Sequence, residues 1–513
     1  MEIINKSLKL ATNSKTLLLF SALIIVYLIT MSPINMDEFV HYHAFDCWYY
    51  PGNQINNFRE GCGIMDLSLF GKFLPLRSYA YVGSGPGWIY APIFWLFPHY
   101  YSARILGFIA LLIMAYPISR VFEIRYSVIV LSLTLLFPVS FQFLMDTGPV
   151  SFQFAFAFIA PYLLIRFPKS ILTVLLVGIA GFYCLWTKTF FIVLVPFCLA
   201  WSAYLISNRH KINPIEIKEI FPAFVYSGLI CGLLFALLLH AQDRLGVILW
   251  YRLSGMNQTY SLLEALSRSV MRDFLLNFSS FADRNIVSLP SDFFLTPLFF
   301  ITLLLTVIYF SIRNISNAKW NIIFIIVFFI TYILVNRNQY AANLHHILMV
   351  FPSIIFLILF NFKLLLNENL IIKRYLLPLL IVIALLPQLH AFARVSYADI
   401  RPENDWSIVE INKNLKDPSI SGSHIVVVVH WGAYFFQSLY GNKDQSVVYI
   451  EPMNSIQAAA QLKEIASRLG RKPLFIARKD ALDGWDNVAK TAFPNIALDS
   501  TLTPTDGIWG VWR

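Results

Sequence analysis

The stretch that decides the fold is Pro149–Ile206, PVSFQFAFAFIAPYLLIRFPKSILTVLLVGIAGFYCLWTKTFFIVLVPFCLAWSAYLI. It contains no carboxylate and three cations, Arg166, Lys169 and Lys188. These cations cut it into three apolar runs, Pro149–Ile165, Ser170–Trp186 and Thr189–Ile206. Each run has the roughly 17–21 residues that a helix needs to cross the hydrocarbon of a bilayer. A buried strand would be far shorter, and a soluble helix would carry a polar face. Hydrocarbon cannot solvate ions, so spanning segments exclude them and charge collects in the joints.

The same pattern extends in both directions. Upstream lie Thr16–Ile34, Ser102–Val121 and Tyr126–Leu144; downstream lie Phe221–Ala241, Phe293–Ile312, Asn321–Val335, Leu344–Phe362 and Tyr375–Leu389. The expectation is an α-helical polytopic membrane protein with about eleven transmembrane helices. Thr16–Ile34 follows Lys6, Lys9 and Lys15 but lacks a small-residue cleavage site, so it reads as a retained span rather than a signal peptide. Composition agrees. Charged residues make up 13% of the 513 residues and hydrophobic residues 58%, whereas a soluble domain is about 25% charged.

Orientation follows from the joints. Alternate connections carry Arg120 and Arg125, Arg166 and Lys169, Arg209, Lys211 and Lys218, Arg313 and Lys319, and Lys363, Lys373 and Arg374. Short basic connections stay in the cytoplasm. The net charge of +10 is therefore a topology signal, and no basic helix or P-loop supports a nucleic-acid partner. The N-terminus is expected inside, in a bacterial inner membrane. The long loops 35–101 and 242–292, and the C-terminus, are expected outside.

After His390 charged and small polar residues return, with β-branched runs at His424–Val429, Ser446–Ile450 and Pro473–Ala477 and a helical pattern at Ser455–Leu469. Strand and helix in alternation predict a small α/β domain. Residues 1–390 are thus expected to form the membrane part and 391–513 an extracytoplasmic domain, read as an acceptor-binding or stabilising cap.

The polar residues at outer helix ends carry the chemistry. Asp37-Glu38 follows the first span, Asp146 the third, Lys188 separates the fifth from the sixth, and Arg337, His345 and His346 flank the tenth. The acidic pair alone has a plain reading as solvated interfacial residues. Acidic and cationic sites on one face are what transfer from an anionic lipid-linked donor needs: a carboxylate takes a proton from an acceptor hydroxyl, and cations hold the departing phosphate.

In their order and spacing these segments resemble the GT-C glycosyltransferases, in the branch of the protein O-mannosyltransferases and lipid A aminoarabinose transferases. The segments are Asp37-Glu38, Gly85-Pro86-Gly87-Trp88-Ile89-Tyr90, Ser102-Ala103-Arg104, Asp146 with Gly148-Pro149, Trp186-Thr187-Lys188 and His345–Pro352. Two departures are Gly83-Ser84-Gly85, where a basic residue often stands, and His345-His346, where Arg-Tyr is usual. The resemblance implies a polyprenyl-phosphate-linked sugar donor, an acceptor hydroxyl on a glycan, glycolipid or protein, and inversion at the anomeric carbon. It implies Asp37 as general base, Glu38 and Asp146 as carboxylates that orient it or the acceptor, and Lys188 with one of Arg337, His345 and His346 as donor-phosphate ligands. No cofactor is expected. A transporter or flippase of lipid-linked sugars, and a polymerase or ligase of such glycans, are the rival readings, but no two halves of the chain match.

Other signals read as structure. His41 and His43 near Asp37 lack a full ligand set, so no metal is expected. Gly83–Gly87 reads as a turn, and Arg244, Arg252, Arg268 and Arg272 as a solvated helix face. Cys184, Cys198 and Cys231 lie in apolar runs as fillers. Cys47 and Cys62 share one outer loop, where a disulfide and two free thiols are both open.

Overall fold

The computed structural model describes residues 13–31, 66–69, 72–75, 85, 89, 93, 96, 101–135, 149–244, 260–267, 292–313, 315–337, 348–366, 406–415, 417–428, 447–449, 463–464, 466–467, 470–479, 493–505 and 509–513. The chain divides into two compact units. One comprises residues 1–32 and 101–399, and the other residues 33–100 and 400–513.

The first unit is a helical membrane bundle. Its helices are α1 (Ser14–Met31), α2 (Tyr101–Phe122), α3 (Tyr126–Leu135), α4 (Pro149–Arg166), α5 (Ile171–Thr187), α6 (Val195–Ser207), α7 (Ile217–Arg244), the short α8 (Leu262–Ser267), α9 (Asp292–Arg313), α10 (Ile315–Arg337) and α11 (Phe351–Leu366). Each expected span up to the tenth contains helix; Tyr375–Leu389 lies outside the described residues. Among the described residues, three helices, at Arg104–Phe122, Ile217–His240 and Ala318–Arg337, meet full spanning length and hydropathy, and other apolar helices are shorter. The ninth span is longer than its apolar run, because Ile315–Trp320 extends it through a polar first turn and Arg337 closes it.

Large apolar side chains such as Ile171, Leu199, Leu229 and Leu233 are more than 60% exposed. A water-soluble surface rarely carries so much contiguous apolar area, whereas lipid solvates it. The interior is aromatic instead. Trp201 is fully buried and donates its indole N–H to the Phe158 carbonyl at 3.0 Å. Around it pack Phe122, Phe158, Tyr204 and Phe356, and Phe324 stacks on Phe356.

Helix α5 meets α7 through small residues. A Cβ on Gly178 would lie 2.8 Å from Ile230 Cβ and 3.0 Å from the Ser227 carbonyl, and one on Gly181 would lie 3.1 Å from Phe156 and 3.3 Å from Cys231. Glycine lets the backbones approach, which gives dispersion contact where no hydrophobic effect operates. Cys184, Cys198 and Cys231 are free thiols in this packing, Cys184 being fully enclosed.

Interhelical contacts gather the alternate basic connections at one end of the bundle. Glu123, after α2, pairs with Lys211 at 2.9 Å and with Lys363 at 3.2 Å. Lys169 pairs with Glu219 at 3.1 Å, and Asn213 donates to the Arg166 carbonyl at 2.8 Å. Tyr204, near the end of α6, meets Trp320 at the start of α10 edge-on. We call this the basic end.

The second unit contains an α/β sheet. Strands β3 (His424–Val428), β4 (Val447–Tyr449), β5 (Lys472–Arg478) and β6 (Trp509–Trp512) lie in the order β4-β3-β5-β6. The first three are parallel and β6 is antiparallel to β5. Ile425–Val427 and Leu474–Ala477 are buried, as uninterrupted apolar runs in a parallel sheet should be. Helices α12 (Trp406–Leu415) and α13 (Pro418–Ser421) precede the sheet. A hairpin of β1 (Asp66–Leu69) and β2 (Lys72–Pro75) lies in the long loop after α1.

Candidate functional site

The end of the bundle away from the basic cluster is reached by the C-terminal ends of α1, α5 and α10 and the N-terminal end of α2. Lys188 sits there, at the break between α5 and a 3-10 turn, Thr189–Leu194, that leads into α6. The break is local in origin. Lys188 is extended, with φ −153° and ψ 106°, and its N–H still closes the last turn onto the Cys184 carbonyl. Thr187 donates its hydroxyl to the same carbonyl at 3.0 Å. Phe191 N–H then bonds to the Lys188 carbonyl at 2.9 Å and starts the next turn.

Lys188 is 4% exposed. The joint is too short to leave the bundle, and α4 covers it. From α4, the fully buried Gln153 donates Nε2 to both the Cys184 and the Lys188 carbonyls, each at 2.9 Å. Sequence reasoning missed Gln153, which reads as a stray polar residue among phenylalanines. Its Oε1, the Ser151 hydroxyl and the Tyr183 hydroxyl are buried and have no hydrogen-bond partner among the described residues. Buried polar atoms left over in this way are uncommon and mark places where structure serves something besides packing.

Arg337 closes α10 and is exposed, and its carbonyl accepts the N–H of Tyr260 at 2.7 Å. That bond ties part of the second long loop to α10. The following helix α8 packs against α10 and begins with a capping box, Ser261 and Glu264 each bonding the other's backbone N–H. The turn after Lys188 packs against α10 and against a second 3-10 turn, Leu348–Val350. Lys188 and Arg337 thus belong to one end of the bundle. Asp37, Glu38, Asp146, His345 and His346 lie outside the described residues, as do Cys47 and Cys62.

A third cation belongs to this end. Arg104, at the start of α2, is fully buried and donates Nη1 to the Ile29 carbonyl of α1 at 2.6 Å. A guanidinium at the C-terminal end of a helix meets the negative pole of its dipole. It also fixes where α1 ends, shortly before Asp37-Glu38 in the chain. Among the described residues no group of three or more His, Cys, Asp or Glu side chains is placed to hold a metal ion.

A solved structure, ArnT from Cupriavidus metallidurans bound to undecaprenyl phosphate, superposes on the chain with a TM-score of 0.55. The match covers 96% of this chain and 97% of that one at 11% sequence identity. The chain has the ArnT fold. No family model matches the sequence, and no curated protein matches it. The likeness to ArnT includes the second unit as well as the bundle, since so little of either chain is left uncovered.

Proposed function

We propose that the protein is a membrane glycosyltransferase that moves a sugar from a polyprenyl-phosphate donor to an acceptor hydroxyl. The observation that carries this reading is Lys188, a buried cation at a helix break, at the end of an ArnT-like bundle that lacks the basic cluster. A buried ammonium is costly unless it meets acceptors or an anion. The fold is shared with a structure bound to undecaprenyl phosphate, whose phosphate is such an anion.

In this reading Asp37 takes the proton of the acceptor hydroxyl, with Glu38 and Asp146 orienting it. The freed oxygen attacks the anomeric carbon, and the bond from that carbon to the phosphate oxygen breaks with inversion. Polyprenyl phosphate leaves with the electron pair, its charge held by Lys188 and one of Arg337, His345 and His346. The acceptor is a glycan, a glycolipid or a protein. No cofactor is required. The chemistry is placed in residues 1–390 on the outer face of a bacterial inner membrane, with the N-terminus cytoplasmic and residues 391–513 outside as an acceptor-binding or stabilising part.

The test is reconstitution in liposomes with a polyprenyl-phosphate monosaccharide. Release of free polyprenyl phosphate, in step with glycosylated acceptor, supports transfer. Movement of the intact donor between leaflets without release identifies a transporter and rejects it. A reporter active only outside the cytoplasm, fused after Arg513, checks the orientation.

A further inference from the structure

We propose that the basic end of the bundle carries a pocket for the phosphate head of an anionic membrane lipid, separate from the site of transfer. The pocket is a cavity of about 700 Å³ between the end of α2, the start of α3 and the connection from α6 to α7. Among the described residues, Arg120, Arg125 and Lys211 line it beside one carboxylate, Glu123. That carboxylate is already engaged, by Lys211 at 2.9 Å and by Lys363 at 3.2 Å. The lining therefore keeps an excess of positive charge. Arg120 is exposed and has no hydrogen-bond or ion-pair partner among the described residues. A guanidinium so placed presents the planar fork that matches phosphate oxygens.

The frame of the pocket is built rather than loose. Glu123 stands in the left-handed region, with φ 57°, where it ends α2, and Ile124 N–H bonds back to the Ser119 carbonyl at 3.2 Å. This is a glycine-type helix end made by glutamate, a conformation that a residue with a Cβ adopts only under constraint. Lys211, from the connection after α6, and Lys363, from the last turn of α11, hold the side chain that makes it. Tyr126 hangs its hydroxyl on the Leu112 carbonyl at 3.0 Å, which fixes the start of α3 against α2. Arg120, Arg125 and Lys211 are thereby presented from two connections that meet.

The surroundings select a lipid over a free anion. Above Arg120 on the same face of α2 stand Tyr116, Ile113, Ile109 and Ile105, all exposed. Their spacing of three and four residues makes one stripe along the helix. A hydrocarbon chain lying on that stripe brings its own phosphate to the cavity. An inorganic phosphate makes no use of the stripe, and a zwitterionic head offers no net charge to the cations.

The experiment is native mass spectrometry of the purified full-length protein in detergent, titrated in parallel with phosphatidylglycerol and phosphatidylcholine. The expected result is preferential retention of phosphatidylglycerol, with affinity about thirtyfold lower after Arg120→Gln with Arg125→Gln. Lys218→Gln, on the same end but outside the lining, should leave retention unchanged. Equal retention of the two lipids overturns the proposal, and this arm needs no variant. Unchanged retention in the double variant, or an equal loss in Lys218→Gln, also overturns it, because the attraction would then be diffuse. Displacement by inorganic phosphate at the lipid's own concentration overturns the lipid assignment in favour of a free-anion site.

Discussion

Replacing Gln153 with glutamate keeps the length of the side chain and turns a donor into an acceptor. In the structure Nε2 donates to two carbonyls, those of Cys184 and Lys188, each at 2.9 Å and fully buried. Neither carbonyl depends on Gln153 alone. Cys184 also accepts from Lys188 N–H and Thr187, and Lys188 also accepts from Phe191 N–H. Gln153→Leu therefore loses two hydrogen bonds, about 0.5–1.5 kcal/mol each, and leaves no carbonyl orphaned. It also removes the unpartnered Oε1, whose burial costs about 1–3 kcal/mol. The two effects nearly cancel, so the leucine variant should stay within about 1 kcal/mol of the parent. Glutamate sets carboxylate oxygens against both carbonyls, and a buried charge without partners costs about 3–5 kcal/mol. The assay is the thermal unfolding midpoint in detergent at a fixed scan rate, with donor KM and kcat measured beside it. Gln153→Glu should unfold well below Gln153→Leu. The leucine variant should raise donor KM more than it lowers kcat, since it frees the backbone that carries Lys188. A glutamate variant as stable as the parent would refute the donor role of Gln153.

Gly178→Ala forces a Cβ to 2.8 Å from Ile230 and should destabilise by about 1–3 kcal/mol. Gly228→Ala, on the exposed side of α7 with nothing within 4 Å, should be neutral or stabilise by up to about 1 kcal/mol; unfolding midpoints of the pair check the contrast. The hydrogen bonds from Lys211 and then Lys363 hold the Glu123 carboxyl below its ordinary 4.5. Its contribution is thus complete above that value and lost as pH falls through the lower folded-state value. The stability gap between the parent and Glu123→Gln, small because Glu123 is largely exposed, should be present at neutral pH and close under acid; a gap independent of pH would contradict the ion pairs. Asp37→Asn should slow turnover by about two to four orders of magnitude with donor binding preserved, whereas Lys188→Ala should weaken donor binding as well. Near-parental turnover in Asp37→Asn removes it as the base.

The bundle was legible because each span is an apolar run of bilayer length, and because Lys and Arg collect in alternate joints. The strands at His424–Val428 and Lys472–Arg478 were legible for a related reason: a parallel strand buried on both faces is an unbroken β-branched run. Trp509–Trp512 was not, since a four-residue segment interrupted by Gly510 has no periodicity of its own and pairs with β5 only through the fold. The hairpin at Asp66–Pro75 was missed because its two strands are four residues each and give no sustained alternation. Lys188 stood out because a cation interrupts an apolar stretch. Gln153 did not, because its meaning depends on how α4 registers against the end of α5. Glu123 reads as a loop glutamate until its left-handed backbone and its two lysines are seen together.

The joint at Lys188 also bears on how the chain enters the membrane. Helix α5 and the 3-10 turn that opens α6 are separated by that residue alone. No slack remains for one span to settle before the next arrives. The two must insert as a single hairpin, with the lysine at its tip. In the proposed orientation the tip crosses the whole hydrocarbon layer, and a lysine at the centre of a span disfavours insertion by about 2.5–3.5 kcal/mol. Only the combined apolar length of both arms outweighs that during synthesis. A chain whose translation stopped inside α6 would hold half a hairpin and a stranded charge, which makes this segment a checkpoint of biogenesis as well as a part of the finished bundle.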